Sequence, residues 1–188
     1  MRLKNNYFLL RHGEAISNKM EFVSCWPEKT HNPLTAKGKK QVESVAAKLK
    51  NEKIDLILAS DILRTKQTAE IVAKKLKLGI KFNKKLRESK FGRFNNKPGK
   101  EWKTYLHSIY RRPADKNHRE ENYYDIRMRM ENFLRDTEKK YRNKNILIVT
   151  HGALLFALEA MMKNIAKKDE KKHEKELKFK NAQLEKIC

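Results

Sequence analysis

Four apolar runs interrupt an otherwise polar chain, at residues 7–10, 54–59, 80–82 and 146–150. The first, second and fourth are almost unbroken, as in parallel strands covered on both faces. The third is a short strand. Between the runs the spacing becomes helical. Thr35 stands as a cap ahead of Val42, Val45, Ala46 and Leu49 on one face. Ser60 or Asp61 is expected to cap a second helix, with Ala69, Val72, Ala73 and Leu76 on its apolar face and Gly79 as punctuation. A third helix, 124–141, sets Ile126, Met130, Phe133, Leu134 and Tyr141 on one side, and 153–162 is apolar enough to lie against a sheet. This alternation predicts an α/β fold: a three-layer sandwich whose mostly parallel central sheet carries helices on both faces.

The remaining stretches are irregular. Residues 14–33 form a polar loop broken by Pro27 and Pro33. Residues 84–121 have weak periodicity and hold Pro98, Gly99 and Pro113, so they read as a cap excursion over the carboxyl-end rim rather than a second domain. From 163 to 180 the chain is mostly Lys, Glu and Asp, expected as a solvated helix or a mobile link, and 182–187 is a weak terminal strand. A single domain over 1–188, with a charged tail at 163–188, follows.

Two apolar strands end alike, in Arg11-His12-Gly13 and in His151-Gly152. Carboxyl ends of parallel strands are where open α/β sheets place their chemistry. Gly13 is expected to let the backbone turn tightly and approach a ligand. Arg64 falls in the first turn of a helix, where a cation opposes the dipole, and a residue that breaks a local rule is a candidate for function. Arg11, His12, Arg64 and His151 therefore share one rim. Guanidiniums offer fixed donor forks to phosphate oxygens, and an imidazole can serve as a nucleophile. The histidines lack a neighbouring cysteine or carboxylate pair, so a zinc reading is weak and no metal or cofactor is expected. The set fits phosphoryl transfer.

The formal charge of +22, from 45 Lys and Arg against 23 Asp and Glu, favours acidic partners. The lysines are spread along the whole chain, which points to a solvated surface more than to a nucleic-acid stripe. The two cysteines, Cys25 and Cys188, form neither a disulfide framework nor a zinc unit. The first residues lack a signal-peptide core and no run is long enough to span a membrane, so a reducing, cytoplasmic setting is expected. The expected partner is a small phosphorylated substrate; nucleic acid ranks low, and the oligomeric state is open, a homodimer included.

The ordered motifs resemble the histidine phosphatase superfamily, the phosphoglycerate-mutase-like proteins. They are Arg11-His12-Gly13-Glu14 with Asn18; Leu34-Thr35-Ala36-Lys37-Gly38 with Gln41; Ser60, Arg64, Gln67, Thr68 and Ala69; Leu86-Arg87-Glu88 with Phe91-Gly92; Asp125 and Arg129; and Ile148-Val149-Thr150-His151-Gly152. The resemblance implies that His12 attacks phosphorus and carries a phosphohistidine. Arg11, Arg64 and His151 would bind the phosphoryl oxygens, with Asn18 and Gly152 also contacting substrate. Glu88 would protonate the leaving oxygen and then activate water. His12 must then be neutral at the attacking nitrogen, its other nitrogen donating to an acceptor such as a backbone carbonyl. Glu88 must hold a proton near neutral pH, through burial or a nearby anion such as the substrate. His31, His107, His118 and His173 read as ordinary loop or surface residues. Trp26, Trp102, Phe91 and Phe94 fit a pocket wall and cap packing equally well.

Two motifs depart from the pattern. Phe94-Asn95-Asn96-Lys97 replaces an aromatic followed by Glu-Gly, and Glu120-Glu121-Asn122 replaces Gly-Glu-Ser. Specificity therefore does not carry over. The resemblance leaves a phosphomonoester hydrolase, a phosphoglycerate mutase, and a basic nucleic-acid binder on an inactive scaffold as ranked alternatives.

Overall fold

The computed structural model describes residues 3–102, 120–173 and 176–187. His107, Pro113, His118 and the middle of the expected cap lie outside the described residues, as does Cys188. The strands β1 (Asn6–Arg11), β2 (Leu56–Ala59), β3 (Ile80–Phe82), β4 (Asn145–Thr150) and β5 (Leu184–Ile187) form one sheet, ordered β3-β2-β4-β1-β5. All neighbours are parallel except β5, which runs antiparallel along β1. The pairing sets Arg11 level with Thr150. The two strand–His–Gly units, distant in sequence, therefore end side by side.

Period-two alternation divides the apolar strand residues between two cores. Tyr7, Leu9, Leu58, Ile146 and Ile148 face one. Phe8, Leu10, Ile57, Ala59, Leu147 and Val149 face the other. The helices α2 (Ala36–Leu49) and α3 (Leu63–Leu76) cover the second face, and α4 (Tyr123–Lys140) and α5 (Gly152–Met162) cover the first. Burial on both faces is why these strands are apolar throughout. A single turn, α1 (Ile16–Lys19), leaves the rim after β1. Among the described residues no helix is long and apolar enough to cross a membrane.

One helix start has the expected cap, a second has a cap that the pattern did not offer, and a third differs from expectation. Thr35 accepts from Gly38 N at 3.0 Å, and Asn122 and Asp125 form a reciprocal capping box on α4. The helix α3, however, begins after Ile62 with no side-chain cap of its own. Neither Ser60 nor Asp61 serves: the Ser60 hydroxyl lies 3.1 Å from His151 Nε2, and Asp61 is held by Arg87. The same helix ends on Lys77 in a left-handed conformation (φ 58°) rather than at Gly79.

The charged segment after α5 is not a solvated helix. It turns through a short 3-10 stretch, Glu170–His173, and buries Leu177 and Phe179 against the α4–α5 core. Glu170 is 1% exposed; it accepts from the Tyr123 hydroxyl and pairs with Arg127 at 2.8 Å. A few apolar residues spaced among lysines set this path, and the charge average hides them.

Gly13 also has a different use from the expected one. A Cβ there would lie 2.5 Å from the Gly38 carbonyl, and a Cβ on Gly38 would lie 2.0 Å from the Glu14 carbonyl. The two glycines let the end of β1 press against the first turn of α2. The close approach is backbone to backbone, not backbone to ligand.

Candidate active site

A cavity of about 400 Å³ opens at the carboxyl ends of β1 and β4. Arg11, His12, Asn18, Arg64, Glu88 and Gly152 line it. His151 is fully buried behind them, its ring 5.3 Å from that of His12 and edge-on to it. The four residues expected at the rim and the three that the resemblance adds thus meet in one place.

His12 is fixed by its backbone and by its ring. Its N–H donates to Thr150 O at 3.2 Å, and its carbonyl accepts from Ala182 N at 3.0 Å. The ring Nδ1 lies 2.8 Å from Gly13 O, an acceptor only, so this nitrogen carries the proton. Arg64 Nε, a donor only, points at Nε2 from 3.2 Å. The hydrogen-bond partners therefore assign the neutral tautomer with its lone pair on Nε2, facing the cavity's basic end. His151 is assigned likewise: Nδ1 accepts from Arg64 Nη2 at 3.2 Å, and Nε2–H donates to Ser60 Oγ at 3.1 Å.

Burial, reinforced by Arg64 and Arg11, holds both imidazoles well below the usual histidine range. Each accepts a proton near pH 6.5 once unfolded but not while folded. Between that value and the depressed folded one, the unfolded chain binds more protons, so acid favours unfolding. Stability is expected to fall below about pH 6.5, by up to about 1.4 kcal/mol per pH unit for each histidine. Denaturant titrations at about pH 7.5 and pH 5.5, repeated on His151→Asn, would check it; the variant should show the shallower loss.

Arg64 is 2% exposed and spends its donors in four directions. Beyond the two histidines, Nη2 donates to Ser24 O at 2.9 Å and Nη1 to Glu28 Oε1 at 3.1 Å. The other Glu28 oxygen, Oε2, accepts from Leu63 N at 3.4 Å. Glu28 therefore answers the rule that Arg64 breaks. It places an anion at the N-terminus of α3 from a loop far back in the chain, offsetting both the dipole and the buried guanidinium. Sequence reading missed Glu28, because one acidic residue in a polar loop carries no periodic signal.

The Arg11 guanidinium is anchored through Nη1 to Phe179 O at 2.7 Å, and its Nε is buried with no hydrogen-bond partner. Gly152 opens α5 beside it; a Cβ there would be 3.7 Å from Arg11 Nε, in ordinary contact. Asn18 Oδ1 accepts from Ala15 N at 2.9 Å and from Asn181 Nδ2 at 3.1 Å, so what it can offer an anion is its amide N–H. Phe179, Asn181 and Ala182 all come from the tail. Its part in holding the rim is the second feature that sequence reading missed.

Glu88 sits on a tightly held segment. Arg87 forms a two-bond pair with Asp61 at 2.7 and 2.6 Å and stacks over Trp26. Arg129 Nη1 reaches the carbonyls of Lys85 and Arg87, both at 2.7 Å, and its other nitrogens grip Glu121. Glu88 Oε1 accepts from Ser89 N at 2.9 Å. Its Oε2 lies 3.5 Å from His151 Nδ1 and 3.8 Å from Arg64 Nη2. Gln41, Gln67 and Thr68 hold backbone: they accept from the N–H groups of Glu14, Leu34 and Gly13. Phe91 and Trp102 line the cavity and also stack edge-on with each other, so both uses foreseen for them coexist. Trp26 is half-exposed and lies outside the lining.

The matching family model is described as Histidine phosphatase superfamily (branch 1) and covers residues 7–187. The chain is 32% identical over 151 residues to a Bacillus subtilis protein named Uncharacterized phosphatase PhoE, covering 80% of this chain and 73% of that one. It is 35% identical over 91 residues to a Yersinia enterocolitica protein named Probable phosphoglycerate mutase GpmB, a match spanning 48% of this chain and only 41% of the relative. The fold superposes on the structure of a mycobacterial glucosyl-3-phosphoglycerate phosphatase in complex with VO3, with a TM-score of 0.81 at 19% identity, covering 96% of this chain and 91% of the other.

Proposed function

Since the chain belongs to the histidine phosphatase superfamily, we propose that it is a phosphomonoester hydrolase that passes through a phosphohistidine on His12, without a metal ion, using a small phosphorylated metabolite. The observation that carries this reading is the convergence of Arg11, Arg64 and His12 on one cavity, with Arg64 Nε 3.2 Å from the lone-pair nitrogen of His12. Two guanidiniums beside an unprotonated imidazole favour an anion there, and their donor forks match phosphoryl oxygens.

The proposed steps use these residues as they stand. A phosphoryl group seats its oxygens on the Arg11 and Arg64 guanidiniums and the Asn18 amide. Arg64 Nε exchanges His12 Nε2 for a phosphoryl oxygen, which frees the lone pair. Nε2 attacks phosphorus while the ester P–O bond breaks, and Glu88 passes its proton to the leaving oxygen. The alcohol departs. Water then attacks the phosphohistidine, its proton goes back to Glu88, the P–N bond breaks, and His12 regains its lone pair. Throughout, Gly13 O holds the Nδ1 proton and steadies the cationic ring. Charge on the equatorial oxygens is met by fixed donors in a buried site, where such contacts are strongest.

Glu28 acts through Arg64 in this scheme. Glu28→Ala removes the anion bonded to Arg64 Nη1, leaving Glu88 at 3.8 Å and letting the buried guanidinium tilt. A misplacement of this kind costs about 100-fold in kcat/KM, and Glu28→Asp should recover part of it. Steady-state kinetics on an aryl phosphate would check both.

A mutase is the second reading, favoured by the similarity to GpmB over 91 residues. The short stretch between Glu88 and His151 supports hydrolysis, since a mutase must shield its phosphohistidine from water. With 3-phosphoglycerate as substrate, free phosphate supports the hydrolase, and an isomeric phosphoglycerate without phosphate release supports the mutase.

A further inference from the structure

Away from the phosphoryl end the cavity wall changes character. Phe91, Trp102, Tyr123, Ile126, Phe156 and Phe179 line it, drawn from the cap, α4, α5 and the tail. Four of these belong to the core around α4 and α5, and Phe91 and Trp102 to a separate small cluster with Cys25. The wall is thus built by two packed units. Among the described lining residues, the cations are Arg11 and Arg64 at the phosphoryl end and Lys178, which is exposed at the mouth. The acidic residues among them are Glu88, at the phosphoryl end, and Glu121, paired with Arg129.

That distribution decides what the esterified alcohol can be. Among the described lining residues, a compact second acid, such as the carboxylate of a phosphorylated hydroxy or amino acid, would meet an aromatic surface and Glu121, which Arg129 already holds. Its compensation among the same described residues would be Lys178, which is solvated. An apolar group of about ring size would instead replace water along the wall with ring and aliphatic contacts. At about 400 Å³ the cavity suits a phosphate plus one such group. We infer that the preferred substrates are phosphomonoesters of apolar, ring-bearing alcohols, with the wall reading the alcohol and not a second charge. This inference rests on the hydrolase reading above and narrows its substrate class.

Benzyl phosphate, O-phosphoserine and 3-phosphoglycerate all leave as primary alcohols, so comparing them reads recognition more than leaving-group reactivity. The expected result is a kcat/KM for benzyl phosphate on the order of 100-fold above both acids, each rate abolished in His12→Ala. Equal or better turnover of either acid, still dependent on His12, overturns the inference and leaves the hydrolase standing. If none of the three is turned over in a His12-dependent way, the hydrolase reading fails and the inference fails with it. Inhibition by benzylphosphonate gives an independent reading that needs no turnover. It should bind at least about tenfold more tightly than inorganic phosphate; equal inhibition by the two contradicts an apolar subsite.

Discussion

His12→Ala is expected to lower phosphate release from an aryl phosphate by a factor of about 10⁴ or more, to background. The substitution removes Nε2, the one nitrogen in the cavity that is both unprotonated and faced by Arg64 Nε at 3.2 Å. His151 cannot take over. Its Nε2 proton is committed to Ser60, and its Nδ1 lies against Arg64 and Glu88. The fold should survive, because the strand end is held by the backbone of residue 12 through Thr150 O and Ala182 N. The anion contacts on Arg11 and Arg64 also survive. Inorganic phosphate should therefore still bind the variant in a calorimetric titration while turnover is gone. Loss of binding together with turnover would mean that the change disturbed the site as a whole.

The second large effect is on stability. Gly38→Ala is expected to cost about 3 kcal/mol or more, read from the denaturation midpoint, because its new Cβ would sit 2.0 Å from a backbone oxygen of Glu14. Neither side can yield cheaply. Glu14 is pinned by its N–H to Gln41 and by its carbonyl to Thr35 N at 2.8 Å, and Gly38 N is the donor that Thr35 caps. The damage should extend to the site, since Gly13, which follows His12, packs on the same carbonyl-lined turn. Gly79→Ala is the control. A Cβ there meets nothing within 4 Å, so it should be close to neutral.

The fold was legible wherever one residue type repeated at a structural period. The unbroken apolar runs at β1, β2 and β4 specified parallel strands, and the 3.6-residue spacing of Val42, Val45, Ala46 and Leu49 specified α2 and its buried face. The rim residues were legible because they stand directly after strands, where register does the positioning: β1 and β4 are neighbours, so Arg11 and His12 must meet Thr150 and His151. What escaped was the set of contacts made by single residues across long separations. Glu28 on Arg64 lacks any periodicity. The tail had too few apolar residues, Leu177 and Phe179, to stand out from its charge, yet it anchors Arg11. The cap of α3 was misplaced because Ser60 and Asp61 are good capping types already engaged by His151 and Arg87. Gly13 was assigned to a ligand because a glycine that spares space for another backbone looks, in one dimension, the same as one that spares it for a substrate.

The central claim is that phosphorus bonds to one nitrogen, Nε2 of His12. Rapid quenching during turnover, followed by peptide mass spectrometry under alkaline conditions, tests it most directly. The account predicts a phosphoryl adduct on the peptide containing His12, lost on brief acid treatment and absent from His12→Ala. Phosphate release at full rate with no adduct there, or with an adduct on another side chain, would contradict it.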